Sequence, residues 1–413
     1  MSPVTSANAD VSLLRHRPFR QYWCARVAAG FAYQMLSVAV GWQIYALTHR
    51  TLDLGLIGLA QFLPSLLLML PAGHLADRYE RRRILLAAEW LQGLALALLA
   101  AGSFLHWLNE NVILVLVLVI GIGKAFEFPV RQALLPGLVS PALLPRAMAT
   151  SASAGQMTIM VGPALGGFLY LAGPGTVYAI SACLYFSAAF LFWRMSPLPP
   201  PATHEPRTLK TVFAGIGYIR RQPVVLGAIS LDLFAVLLGG ATALLPAFAH
   251  DILHTGPWGL GLLRAAPAVG ALSMSVWLAR RPLRHSVGKI MFTSVAGFGL
   301  ATLVFALSTS FLLSLATLCA LGAFDMVSVV IRGTLVQLET PDDMRGRVSA
   351  VNAMFISTSN QLGEFESGVT AAWFGTVPAV LIGGLGTLAA VGLWMWWFPE
   401  LLQRERLGSE TPV

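Results

Sequence analysis

The chain has 413 residues, of which 56% are hydrophobic and only 11% charged, with a formal net charge of +8 and a mean hydropathy of +0.71. Soluble proteins carry about 25% charged residues, and a water-soluble fold of this length could not hide so much apolar surface, so the bilayer is the implied solvent. The basic excess does not call for a nucleic-acid partner, because the arginines and lysines sit in short segments between apolar runs, where they set topology.

Apolar stretches of about 20 residues and their breakers give twelve spans: 20–47, 53–76, 84–106, 112–136, 146–172, 175–195, 223–249, 257–279, 287–308, 310–336, 347–374 and 376–398. The first is too long for a signal-peptide core and has no small-residue cleavage site. Most connections are short turns marked by Gly, Pro or charge. The long one, 196–222, opens with SPLPPPATHEP and continues as an amphipathic helix, TLKTVFAGIGYIRRQ. It divides the chain into a six-helix bundle over 1–195, a linker over 196–222, and a second bundle with a short tail over 223–413. Cys24, Cys183 and Cys319 lie inside apolar runs without CxxC or metal-ligand spacing, so no disulfide framework is expected. Trp23, Trp42, Trp90, Trp107, Trp258 and the tryptophans of Trp394–Trp397 read mainly as interfacial anchors.

Lys/Arg counting sets the orientation. Alternate connections carry Arg15/Arg17/Arg20, Arg78/Arg81/Arg82/Arg83, Arg146, Arg194/Arg207/Lys210/Arg220/Arg221, Arg280/Arg281/Arg284/Lys289, Arg345/Arg347 and Arg404/Arg406, whereas the opposite set carries only Arg50. Both termini and the linker are therefore expected in the cytoplasm. The halves also align with each other. At an offset of 201, Arg131 falls on Arg332, Leu134 on Leu335, Arg146 on Arg347, Gly162 on Gly363 and Gly167 on Gly368, with no gap. Two parallel six-helix repeats produce this register, with a binding site near midplane between them.

The connection after the second span, GHLADRYERRR from Gly73 to Arg83, resembles the loop 2–3 motif of the major facilitator superfamily, with Glu80 where that pattern carries Gly. GPALGG in the fifth span, with Gly162, Pro163, Gly166 and Gly167, is similar to the helix 5 motif of the superfamily's drug/proton antiporters. FPVRQALLPGLV and TPDDMRGRVSAVN resemble the bacterial branch that holds the enterobactin exporter and related multidrug and macrolide efflux proteins. The resemblance covers the whole chain and implies an all-α polytopic membrane protein with twelve transmembrane helices, the major facilitator fold. It implies a bacterial cytoplasmic (inner) membrane location and a gating role for Gly73, Asp77, Arg78, Arg81 and Arg82. Asp77 would accept hydrogen bonds from the N-terminus of the eleventh helix, where the dipole is positive, and the arginines would pair with carboxylates or lipid phosphates. The small residues of GPALGG let helices approach closely and its proline bends the helix.

Ionisable groups at bilayer depth are costly and therefore candidates for function. The resemblance implies that helices 1, 4, 7 and 10 line the cavity. They carry Arg26; Lys124, Glu127 and Arg131; Asp232; and Asp325 and Arg332. Lys124, Glu127 and Arg131 share one helix face, which equally suits an internally neutralised structural triad. Arg131 and Arg332 lie near the basic ends and are expected to snorkel or brace a gate. Arg264 and Glu366 come out at similar depth, about 10–12 Å from the outer surface by helical rise, so an ion pair between them is expected, leaving Glu364 or Asp232 to titrate. Proton-coupling candidates are thus Asp232, Glu364, Glu127, Glu366 and Asp325; cavity candidates are Arg26, Lys124, Phe126, Gln156, Arg264 and Asn360. Glu89 is expected to face protein.

The implied function is secondary transport by alternating access, exporting a siderophore- or drug-like small molecule by proton antiport, as a monomer in the lipid bilayer, with no cofactor, metal or nucleic acid. An importer or a lysophospholipid transporter of the same fold remains the rival. A membrane enzyme would need a nucleophile–base pair or metal cluster, yet the chain holds no HExxH and no GxSxG; a sensor would need an appended signalling domain.

Overall fold

A computed structural model describes residues 13–196, 209–283 and 285–406. Its helices form twelve spans. Spans 1 to 6 are Arg17–Thr48, Thr51–Leu67 continued by Met69–Arg78, Arg81–Phe104, Glu110–Leu134, Leu144–Leu169 and Pro174–Trp193. Spans 7 to 12 are Pro223–Ile252, Pro257–Arg280, Val287–Leu307, Phe311–Leu338, Asp342–Phe374 and Thr376–Trp397. Local chemistry sets the boundaries. Pro174, Pro223 and Pro257 open spans 6, 7 and 8, where a missing N–H costs nothing, and the Asn109 side chain accepts from the Val112 N–H at 2.9 Å to cap span 4. Gly173 and Gly375, at φ 96° and 92°, turn the chain between spans 5 and 6 and between spans 11 and 12.

Ten of the spans are long and apolar enough to cross a membrane; the other two depart from that pattern for local reasons. Span 2 breaks at Leu68, because Pro71 has no N–H for the ladder and its ring crowds the carbonyl four residues back. Span 11 is helical over 33 residues, about 50 Å, but carries Asn352, Asn360, Gln361, Glu364 and Glu366 along its length. Span 7 is continuous only from Pro223 to Leu238. Beyond Gly239–Gly240 it passes through a 3-10 turn (Ala241–Leu244) and ends in a π turn (Phe248–Ile252). A Cβ at Gly240 would meet the Gly363 carbonyl oxygen at 2.7 Å, so the unwinding marks a close crossing with span 11.

Spans 1 to 6 share one buried cluster that includes Phe19, Tyr22, Met35, Leu96, Val117, Tyr178, Tyr185 and Phe192. Phe248, Leu263 and Phe305 anchor a second cluster, which also takes in Val38 of span 1, and Phe292, Ile331 and Leu335 a third within spans 7 to 12. The amphipathic helix Leu209–Arg221 docks on the beginning of span 11 through Ile219, buried with Val348 and Val351, and the Tyr218 hydroxyl donates to the Glu339 carbonyl at 2.7 Å. The Pro-rich start of the linker, 197–208, lies outside the described residues.

The span ends that carry the arginine clusters form one face, the basic face; the opposite ends form the far face. The halves meet near the far face, span 2 against span 11 and span 5 against span 8. Both junctions are backbone-close. A Cβ on Gly368 would lie 2.6 Å from Gly55 Cα, and a Cβ on Gly167 would lie 3.0 Å from Gly261 Cα. Gly167 and Gly368 are the two glycines that the 201-residue offset superposes, so the duplication is visible as a pair of matching contacts. Toward the basic face, Cβ atoms built on Gly73, Gly333 and Gly346 meet nothing within 4 Å. The close cross-half contacts among the described residues, Gly55 with Gly368, Gly58 with Glu364, Gly167 with Gly261 and Tyr45 with Asp251, all lie toward the far face, so the halves part toward the basic face.

Candidate transport site

Five spans bring polar side chains together just below the far-face junction. Tyr33 of span 1 donates from its hydroxyl to Gln61 Oε1 of span 2 at 2.5 Å. The Lys124 ammonium of span 4 sits over the Tyr33 ring, a cation–π arrangement. Arg264 of span 8 and Glu364 of span 11 act on one another electrostatically, and both act on Tyr33. Each also presses on a glycine of the first half: a Cβ on Gly58 would lie 3.0 Å from Glu364 Oε2, and one on Gly41 would lie 3.7 Å from Arg264 Nη2. Arg26 lies nearer the basic face on span 1, its guanidinium against Gly155 of span 5 and its Nε without a hydrogen-bond partner among the described residues.

Most of the remaining membrane charges are committed elsewhere. Arg131 pairs with Glu127 one helical turn away, and Gln92 Nε2 donates to Glu127 Oε2 at 3.3 Å. The triad expected on span 4 is therefore split: Glu127 and Arg131 pair, and Lys124 turns to Tyr33. Glu89, buried on span 3, faces Glu127 and Arg131. Arg332 does not snorkel. It is buried and paired with Asp232, so Asp232 is not the unpartnered carboxylate the sequence suggested. Asp325 shares a small cavity with Asp232, Ser328, Phe298 and Phe324 and makes no ion pair among the described residues. The expected Arg264–Glu366 pair does not form among the described residues. Residues two apart on a helix diverge by about 200°, and Glu366 accepts instead from the Thr370 hydroxyl at 2.7 Å while Glu364 is the carboxylate that Arg264 acts on electrostatically. Phe126 is half-buried; Gln156 is exposed, and so is Asn360, whose amide donates to the Ile356 carbonyl of its own helix at 2.9 Å.

The loop motif is used within its own half. Arg81 donates to the Ala133 carbonyl at 2.8 Å, and Arg82 donates to the Trp193 and Met195 carbonyls, so two cations satisfy the carbonyl ends of spans 4 and 6. Glu80 pairs with Arg82 and Arg83 at 3.0 and 2.8 Å and has φ −60°, a conformation that needs no glycine. Arg78 is exposed, and the Asp77 side chain lies outside the described residues. Met69–Arg78 packs mainly on span 4, while the beginning of span 11 packs on the amphipathic helix. The helix 5 motif is a packing surface with two partners: Gly162 and Gly166 admit Gln34 and Met35 of span 1, and Gly167 admits Gly261 of span 8.

Tyr33 and Gln61 escaped the sequence reading because neutral polar groups carry no positive-inside or burial-cost signal. A Tyr-Gln pair at 33–34 and a Gln inside LAQFLP are the only traces they leave.

The family model for the transmembrane secretion effector, a major facilitator family, matches residues 8–406. The chain belongs to this family. As a secretion-effector relative it is 29% identical over 412 residues to the enterobactin exporter EntS of Citrobacter koseri, covering 98% of this chain and 97% of that protein. The enterobactin exporter EntS of Escherichia coli O1:K1 / APEC is 29% identical over 388 residues, covering 92% and 91%. Among solved structures, a mutant of the nucleoside transporter NupG superposes with a TM-score of 0.75 at 12% identity, over 92% of this chain and 99% of that one. An inward-facing, occupied bacterial homologue of the human lysosomal transporter Spinster gives 0.71 at 13% identity, over 95% and 96%. At that identity the structures speak for the fold: twelve spans in the major facilitator arrangement. The protein is a multi-span membrane transporter of small molecules.

Proposed function

We propose that the protein exports a siderophore- or drug-like small molecule from the cytoplasm by proton antiport, with Glu364 as the coupling carboxylate. The carrying observation is the position of Glu364 against Gly58, at a junction between the halves that exists only while the far face is closed. Opening that face exposes the carboxylate to the far-side solution, where it takes up a proton. Closing returns it to Arg264 and Tyr33, above a cleft open to the basic face, where the proton leaves. The arginine asymmetry assigns the basic face, and with it both chain ends, to the cytoplasm. Asp232 and Glu127 are already neutralised by Arg332 and Arg131 and serve as structural pairs.

Arg26, Lys124 and Arg264 give the cleft a cationic character beside the Tyr33 ring, which suits an anionic, aromatic cargo. The relatives named as enterobactin exporters, aligned over more than nine-tenths of both chains, favour export and a siderophore-like substrate. A bacterial exporter that takes its cargo from the cytoplasm sits in the inner membrane, and the relatives' name supports that location. The unit is the monomer, since the cleft is complete within one chain.

In proteoliposomes carrying an imposed pH gradient, Glu364→Gln should retain substrate exchange without a gradient but lose gradient-driven accumulation. Accumulation equal to wild type in that variant removes Glu364 from the coupling step. Flux into inside-out vesicles, rather than out of them, supports export over the importer reading.

A further inference from the structure

On the far face, outside the transport site, span 1 ends at Thr48 and His49 takes a left-handed conformation, φ 51° and ψ 25°. Across the junction, span 7 ends in its π turn, which carries His250 and Asp251. The His49 and His250 rings lie 5.3 Å apart, centroid to centroid, and Trp42 packs on His250 at 5.5 Å. His250 Nδ1 meets Asp251 Oδ1 at 2.6 Å, and the Tyr45 hydroxyl donates to Asp251 Oδ2. One ligand atom each from His49, His250 and Asp251 lies within 4.8 Å of the others, and among the described residues no other set of His, Cys, Asp and Glu converges in this way.

We infer that His49, His250 and Asp251 form a binding site for a divalent transition metal that staples the two halves together on the far face. Two imidazoles and one carboxylate suit zinc, nickel or copper rather than magnesium or calcium. In a tetrahedral zinc site, with metal–nitrogen bonds of about 2.0–2.1 Å, donors stand about 3.4 Å apart. The widest pair must close by at most about 1.4 Å, which exposed His49 and Asp251 and half-buried His250 achieve by side-chain rotation. The fourth position stays open to water. The Tyr45 hydroxyl supplies the outer hydrogen bond that orients the carboxylate, and the π turn places two donors side by side.

His49 belongs to the first half and the other two ligands to the second, so the ion binds only while the far face is closed. Binding to one state of an equilibrium favours that state in proportion to occupancy, about a hundredfold at a metal concentration one hundred times Kd. Zinc on the far side therefore arrests the transporter with its cleft open to the basic face. This is separate from proton coupling, because among the described residues no hydrogen bond or ion pair joins either His or Asp251 to Glu364.

The test uses the full chain in detergent and in proteoliposomes. Zinc chloride should raise the melting temperature in a saturable manner that EDTA reverses and magnesium does not reproduce. His49→Gln, at an exposed helix end, should lose most of the shift while keeping the melting temperature of the metal-free protein. His250→Gln should behave alike. Zinc added to the far side should slow exchange in wild type at least tenfold and leave His49→Gln unaffected. A zinc shift of wild-type size in His49→Gln overturns the site, and undiminished exchange in zinc-saturated wild type overturns the staple.

Discussion

Substituting Gly368 by Ala should push the transporter out of its basic-face-open state. The added Cβ would lie 2.6 Å from Gly55 Cα and 2.7 Å from Gly55 N, both backbone atoms of a packed helix with no side chain to swing away. Carbon atoms rest at about 3.5–4.0 Å, so spans 2 and 11 must separate by about 1 Å. Overpacking of this kind costs about 1–3 kcal/mol, and the penalty falls on the state in which these helices touch. The better helix propensity of alanine acts on both states and cancels. The expected result is a shift of about 5- to 150-fold toward the far-face-open state. With Cys24, Cys183 and Cys319 replaced by Ser, spin labels at Asn111→Cys and Ser310→Cys, both exposed on the far face, report the separation of the halves. Gly368→Ala should move the distance distribution to longer values. Gly73→Ala, where a Cβ meets open space, should not move it in that direction. A distribution for Gly368→Ala that matches wild type would refute the reasoning.

Arg332→Met leaves Asp232 buried beside no cation, their side chains being only 4% and 6% exposed, and should destabilise the protein by about 3–5 kcal/mol in thermal melts. Pairing it with Asp232→Leu should restore most of that loss while leaving exchange intact, since the pair is structural. Arg81→Ala forfeits a charged hydrogen bond to the Ala133 carbonyl, for a loss of about 1.5–3 kcal/mol at most; melting temperature should fall while the substrate Kd stays unchanged. Tyr33→Phe keeps the ring beneath Lys124 and removes only the bond to Gln61, so substrate affinity, measured by fluorescence or calorimetry, should drop by no more than about tenfold. Tyr33→Ala should cost distinctly more, because the cation–π contact goes as well.

Hydropathy and arginine spacing made the twelve spans legible, and the breaks were written in Pro71, Gly239–Gly240 and Pro246, although their consequence for spans 2 and 7 was not drawn. The repeat register was readable at Gly167 and Gly368, and both prove to be junction glycines. Partners across the bundle were not readable, for a geometric reason. Helical rise fixes depth, which put Arg264 and Glu366 level, but the rotation of each helix about its axis is set by packing against every neighbour. That rotation turns Glu364 rather than Glu366 toward Arg264 and brings Arg332 inward to Asp232. Tyr33 and Gln61 were invisible because a neutral side chain leaves no charge signature.

The paired glycine junctions have a consequence for how finely the resting state can be set. Two similar clamps, one at Gly55 and Gly368 and the other at Gly167 and Gly261, lie on different helix pairs and share no side chain. Contributions from separate sites add in free energy, so their effects on the equilibrium multiply. Loosening either clamp gives an intermediate bias and loosening both gives the product of the two. The repeated junction thus gives the protein a two-position dial for its conformational balance, adjustable without touching the residues proposed to meet the cargo.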